Sequence, residues 1–230
     1  MKTSHILFVI TVAITLMGMV ATNVLLKEQY RKIDWSDAYQ SFEKKPLPPA
    51  RHLIVRSAPT AEIVIEKSSA TQALLLPSMA QSYKTRQQGD TLFIDFTMNY
   101  DSSPRDPHND INDELPAGLV LRLPELQSLR AIDTRVTLRN FAPDRLNVSL
   151  QNTRLRTHNL TVGGPVSLTA SQNSFVVLGD DRYKALQLTI QDSSGAQLNN
   201  TQTDAFTPIV SPKSEVQLRG KALHWLTLKK

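Results

Sequence analysis

No cysteine occurs anywhere in the 230 residues. That absence removes disulfides, cysteine-ligated zinc, iron–sulfur clusters, thiol nucleophiles and the lipidated cysteine of a lipoprotein anchor. Aromatic residues are scarce at 6 %, while aliphatic residues, Thr, Ser, Asn and Gln are plentiful. This balance suits stacked short strands better than the core of a globular enzyme. Glycine is scarce too, with eight residues; the glycine-rich nonapeptide of calcium ladders, the phosphate loop and the Gly-x-Ser-x-Gly elbow are all missing. The five histidines, His5, His52, His108, His158 and His224, lie far apart with no His-x-x-x-His pair, so no metal site and no cofactor is expected. The formal charge is a mild +5. Without zinc spacing, an aromatic RNA-binding signature or a long basic run, nucleic acid is not an expected partner. Attraction to anionic surfaces is left open.

What the chain does contain is a repeat. Five segments carry a hydroxyl residue followed two places on by an aliphatic or small one: Thr134–Leu138, Thr153–Thr157, Ser174–Leu178, Ser194–Leu198 and Ser214–Leu218. The hydroxyl positions step by 19, 21, 20 and 20 residues. Alternating runs precede three of them: Leu146-Val148-Leu150, Val166-Leu168-Ala170 and Leu186-Leu188-Ile190. A period near 20 with two-residue alternation inside it predicts an all-β, single-domain parallel β-solenoid, each rung burying its aliphatic side chains against the next. Val136, Leu138, Leu155, Val176, Leu178, Val216 and Leu218 are the expected inward residues. Asp133, Asn152 and Asn173 stand just before the hydroxyl in three rungs. They are expected at left-handed turns, stacked as a hydrogen-bonded ladder.

The N-terminus has a different character. No residue from Thr3 to Leu26 carries a formal charge, and Ile6–Leu26 is mostly aliphatic. As a helix that run spans about 32 Å, enough for a bilayer core. The apolar stretch continues through Leu25-Leu26 instead of stopping at small residues, which favours an uncleaved signal anchor over a cleaved signal peptide. Lys27, Arg31 and Lys32 outnumber Lys2, and by that count the domain leans toward the cytoplasm. Architecture and lack of cysteine argue the reverse, so the expected location is the inner (plasma) membrane, single-pass, with the domain outside the cytoplasm.

Three regions follow: the anchor at 1–28, a juxtamembrane segment with a Pro-rich linker at 29–50, and a β-solenoid domain at 51–230 with repeat rungs at 126–228. Tyr30, Trp35, Tyr39 and Phe42 in the second region suit a membrane interface. Residues 51–100 alternate with period two at Leu53/Val55, Ile63/Ile65 and Leu92/Ile94/Phe96, with Gly89-Asp90 as a turn. Residues 101–117 hold five acidic residues and three prolines and read as a solvated loop, with calcium as the alternative. Leu223, Trp225, Leu226 and Leu228 suit a capping turn.

The order of a short strand pair, Gly89-Asp90-Thr91-Leu92-Phe93-Ile94, then Leu121-Arg122-Leu123-Pro124-Glu125-Leu126-Gln127-Ser128-Leu129, then rungs near 20 residues resembles a bacterial family, the putative auto-transporter adhesin, head GIN domain. The likeness spans about Arg51 to Leu228 and is most specific at 119–129. It implies a β-solenoid on the cell envelope with no catalytic site. The family's Gly-Ser-Gly turns are here replaced by Asp133-Thr134, Asn152-Thr153 and Asn173-Ser174.

Two polar groups invite a functional reading. Gly179-Asp180-Asp181 parallels the paired acids of β-helix glycosidases, but acids at a turn are expected for backbone reasons. Arg135 and Arg154 share one repeat position, with Arg139 and Arg156 close by. On adjacent rungs they would stack about 4.8 Å apart, forming a comb for an anionic ligand. The resulting expectation is a membrane-anchored, non-catalytic envelope protein, adhesin-like or structural, whose partner is an anionic polysaccharide or another envelope protein. The alternatives are a carbohydrate-active enzyme or an accessory, sensing subunit of a membrane complex.

Overall fold

Thr11, Thr15 and Thr22, the hydroxyl residues inside the apolar run, each donate to the carbonyl four residues back at 2.8–2.9 Å. A helix that hides its own hydroxyls this way suits an apolar solvent. In the computed structural model, which describes residues 2–34, 37–56, 61–96 and 116–227, this helix is α1 (Lys2–Arg31). It is long and apolar enough to cross a membrane. The chain divides into two compact units, Met1–Ser41 and Phe42–Lys230.

The second unit is built from seventeen strands among its described residues. They are β1 (Glu43–Pro46), β2 (His52–Arg56), β3 (Glu62–Lys67), β4 (Gln72–Leu75), β5 (Tyr83–Gln88), β6 (Thr91–Phe96), β7 (Ala117–Leu123), β8 (Ser128–Ile132) and β9 (Arg135–Arg139), then β10 (Leu146–Gln151), β11 (Arg154–His158), β12 (Thr161–Ser171), β13 (Phe175–Leu178), β14 (Arg182–Ile190), β15 (Gly195–Leu198), β16 (Gln202–Val210) and β17 (Glu215–Leu218). One nine-stranded sheet runs β1-β4-β7-β3-β9-β11-β13-β15-β17, and one eight-stranded sheet runs β5-β6-β2-β8-β10-β12-β14-β16.

The expectation of a single-domain parallel β-solenoid is therefore corrected. These are two mixed sheets, and the order of their strands does not follow the chain. β2 lies between β6 and β8, and β3 between β7 and β9, so β2 and β3 sit inside the stack and later strands add on both sides of them. Two sheet ends are antiparallel: β1/β4 and β4/β7 in one sheet, β5/β6 in the other. Loop length is the physical reason. Two residues, Gly89 (φ +56°) and Asp90, join β5 to β6, and a two-residue loop closes only an antiparallel hairpin. The linker expected at 29–50 also contributes a strand, β1.

From β8 onward, parallel pairing sets Arg135 opposite Arg154, Arg154 opposite Phe175, Phe175 opposite Gly195 and Gly195 opposite Glu215. Each tier places one strand in each sheet, and the inward faces of both sheets form one apolar cluster. Val136, Leu138, Leu155, Val176 and Leu178 are buried in it. Val216 and Leu218, on the last tier, are only half-buried against it.

Candidate functional site

The repeated hydroxyl is a structural device. Ser174 Oγ accepts from the Thr153 N–H at 3.1 Å, and Ser194 Oγ accepts from the Ser174 N–H at 3.0 Å. These two hydroxyls thus satisfy the buried corner amides of the tiers before them, which an aliphatic residue leaves unpaired. Asp133, Asn152 and Asn173 adopt positive φ (52°, 46° and 63°), and Asn152 Nδ2 donates to Asp133 Oδ1 at 2.8 Å. The left-handed corners match the sequence reading, and the ladder forms between Asn152 and Asp133.

The arginines are brought together as the period requires, but under cover. Arg135 and Arg154 pair directly across β9 and β11; they are 9 % and 4 % exposed. They line a crevice of about 10 Å³ with Glu62, Val136 and Arg156, room for about one water. Glu62 also accepts a hydrogen bond from the Thr137 hydroxyl. Arg139 is engaged elsewhere. Glu66 of β3 sits between Arg122 of β7 and Arg139 of β9, taking Arg122 Nε at 2.8 Å and Arg139 Nη2 at 2.6 Å. Burial pushes the Glu66 carboxyl up, but the hydrogen bonds and charges of both arginines pull it further down, so its pKa lies below the usual 4.5. Charge compensation within the fold occupies this face, and a polymer in solution does not reach Arg135 or Arg154 directly.

The aspartate pair separates. Asp180 is exposed, whereas Asp181 is buried and accepts from the Leu160 N–H at 2.9 Å, the Gly179 N–H at 3.1 Å, the Tyr183 hydroxyl at 3.0 Å and the Thr157 hydroxyl. Burial pushes its pKa up, and these four bonds only partly offset that. A buried carboxylate saturated by structural donors ties β11, β13 and β14 together; it has no face left for a substrate. No cluster of three potential metal ligands forms among the described residues, and His108 lies outside them. The calcium alternative for 101–117 falls almost wholly outside the described residues.

The site that sequence reasoning missed lies on the outer face of the eight-stranded sheet. Register aligns Thr91, His52, Ser128, Asn147, Ser167, Gln187 and Thr207 in one row across seven strands. The adjacent outward row runs Arg130, Ser149, Thr169 and Thr189. Their centre is a trough of about 480 Å³, lined by His52, Ile54, Ser128, Arg130, Asn147 and Ser149 among others, with no acidic side chain among the described residues. Hydroxyls and amides both donate and accept, and neighbouring strands repeat them about every 4.8 Å. Such a surface matches an extended ligand that is itself rich in hydroxyls. His52 Nδ1 lies 2.8 Å from Ser128 Oγ. Among the described residues no carboxylate orients the other ring nitrogen, and Ser128 lies on a strand rather than at an elbow, so the pair lacks the parts that activate a serine. The signal was present in the sequence, in the outward positions of the alternating runs: Asn147/Ser149, Ser167/Thr169 and Gln187/Thr189.

No family model matches this sequence, and no curated protein matches it. Solved structures do. A putative adhesin from Bacteroides fragilis aligns with a TM-score of 0.53 at 10 % identity, covering 77 % of this chain and 95 % of that one. A putative adhesin from Parabacteroides distasonis aligns over the same shares, 77 % and 95 %, at 9 % identity and a TM-score of 0.39. The first likeness shows a shared fold; the second is too distant to carry an argument.

Proposed function

We propose that this chain is a non-catalytic, adhesin-like binding module of the bacterial envelope, and that the trough on the eight-stranded sheet holds a polysaccharide. The observation that carries the reading is one row of polar side chains in register across seven strands, with a second polar row across four of them, around a 480 Å³ trough. The fold shared with the putative adhesin from Bacteroides fragilis supports it. α1 serves as an inner-membrane anchor, with the β unit outside the cytoplasm. Among the described residues, Arg130 is the one Lys, Arg, Asp or Glu side chain lining the trough, so hydrogen bonds dominate and the favoured ligand is a neutral chain. Anionic polymers, matched to Arg135, Arg139, Arg154 and Arg156, find those residues buried or half-buried.

A glycan array carrying neutral and anionic glycans tests this with the full chain in detergent. Expected is binding to neutral glycans that persists in about 1 M salt, where exposed charges are screened beyond about 3 Å. Asn147→Ala/Ser167→Ala should abolish it without altering the melting temperature. Binding confined to anionic glycans and lost in salt, or no binding to any glycan, overturns the assignment.

A further inference from the structure

Among the described residues, the last tier of the stack is only partly covered. Val210 continues the inward column of Leu150, Ala170 and Ile190, and Pro208 continues that of Leu168 and Leu188. Every earlier member of both columns is buried, yet Pro208 and Val210 are exposed, Val210 at 41 %. Val216 and Leu218 on β17 are likewise half-buried, where the residues they continue, Ala196 and Leu198, are fully buried. The 3-10 turn Gly220–Leu223 and the helical turn His224–Thr227 cover part of this end: Ala222 is buried, and Trp225 meets Phe206 with ring centroids 5.9 Å apart. The rest is open among the described residues. Among the described residues of the β unit, the exposed large hydrophobics are Ile209, Val210, Leu223 and Leu226, all at this end.

The opposite ends are built differently. β5 reads Tyr-Lys-Thr-Arg-Gln-Gln and is exposed from its second residue onward; β1 reads Glu-Lys-Lys-Pro. Lysine, arginine and proline on an edge strand discourage further pairing. β16 and β17, the other edges, each pair on one side only among the described residues, and β16 carries Ile209-Val210, with Asp204 its one charge and Pro208 its one residue without an N–H.

The geometry points to a second copy of this chain as what covers the C-terminal end, two last tiers meeting about a two-fold axis. An identical end face offers what each open column lacks: another layer of the same aliphatic side chains and an edge strand with free backbone groups. Head-to-tail stacking would set this face against the charged β5 and β1 edges, so the arrangement closes as a dimer instead of growing into a filament. The rim carries both signs, with Asp204 and Glu215 beside Lys213, Arg219 and Lys221, all exposed, and a mixed rim is complementary to its own copy.

The cysteine-free sequence makes the test direct. In the full chain, Thr207→Cys on β16 and Lys84→Cys on β5 each introduce one thiol. Under mild oxidation Thr207→Cys should yield a chain-to-chain disulfide and Lys84→Cys should not. Light scattering in detergent should give the mass of two chains for the wild type and of one for Val210→Lys, with the β-sheet circular dichroism retained, since Val210 is already part-exposed in the single chain. A one-chain wild-type mass at micromolar concentration overturns the proposal. So does a two-chain mass that survives Val210→Lys, or equal cross-linking at both positions, either of which assigns association to another surface such as α1.

Discussion

Glu66 shows how single residues set this protein's electrostatics. It accepts from two arginines, and its carboxyl sits below 4.5 because their pull exceeds the cost of burial. A carboxyl depressed in the folded state contributes stability that is fully present above the unfolded value and is lost as pH falls through the folded one. Glu66→Gln keeps the shape but leaves two guanidiniums converging on a neutral amide. Expected at pH 7 is a loss of about 1–2 kcal/mol, after allowing for solvent around the part-exposed arginines. The gap between variant and wild type should close as pH drops below 4.5. Chemical denaturation across that window checks it, and a gap that stays constant contradicts the ion-pair assignment. Asp181 has the opposite sign: its carboxyl is raised by burial, so its contribution is present below the usual 3.8 and declines as pH rises through the folded value.

At the scale of elements, each tier is stabilised by inward aliphatics of both sheets, and the corner hydroxyls keep the tiers in step. Val176 on β13 is fully buried, between Leu155 of β11 and Ala196 of β15. Val176→Asp places a carboxylate there with no partner and should cost on the order of 3 kcal/mol. A variant that melts within a degree or two of wild type would refute the register of β11, β13 and β15. The periodicity of these elements was legible in sequence because parallel pairing repeats the same environment every tier. β1, β4 and β5 were not legible as pairing partners, because an antiparallel neighbour imposes no repeat on the sequence. Their place follows from short loops and from which edges remain open.

At the scale of the whole molecule, the question is which side of a membrane the β unit occupies. α1 is long and apolar enough to cross one, but the basic residues flanking it, Lys2 against Lys27, Arg31 and Lys32, lean toward a cytoplasmic β unit. The envelope role proposed for the trough requires the reverse. Alkaline phosphatase fused after Lys230 should be active, and the full-length chain should stay in the membrane fraction. An inactive fusion would mean that the flanking charge decides the orientation, and the envelope role would fall with it.

Local patterning determined what this sequence could state alone: an apolar helix at the N-terminus, β-strands beyond it, a 20-residue spacing, left-handed corners at Asp133, Asn152 and Asn173, and the inward residues of the repeats. Each depends on side chains within a few positions of one another or on a fixed period. Tertiary structure decided the rest. It split the strands into two mixed sheets whose order departs from the chain, because β2 and β3 pair on both sides with strands formed later. It also buried Arg135 and Arg154, which the period alone places on an outer face. Whether an outward residue meets water depends on what the remainder of the chain packs over it, and that is not written in a residue's own neighbourhood.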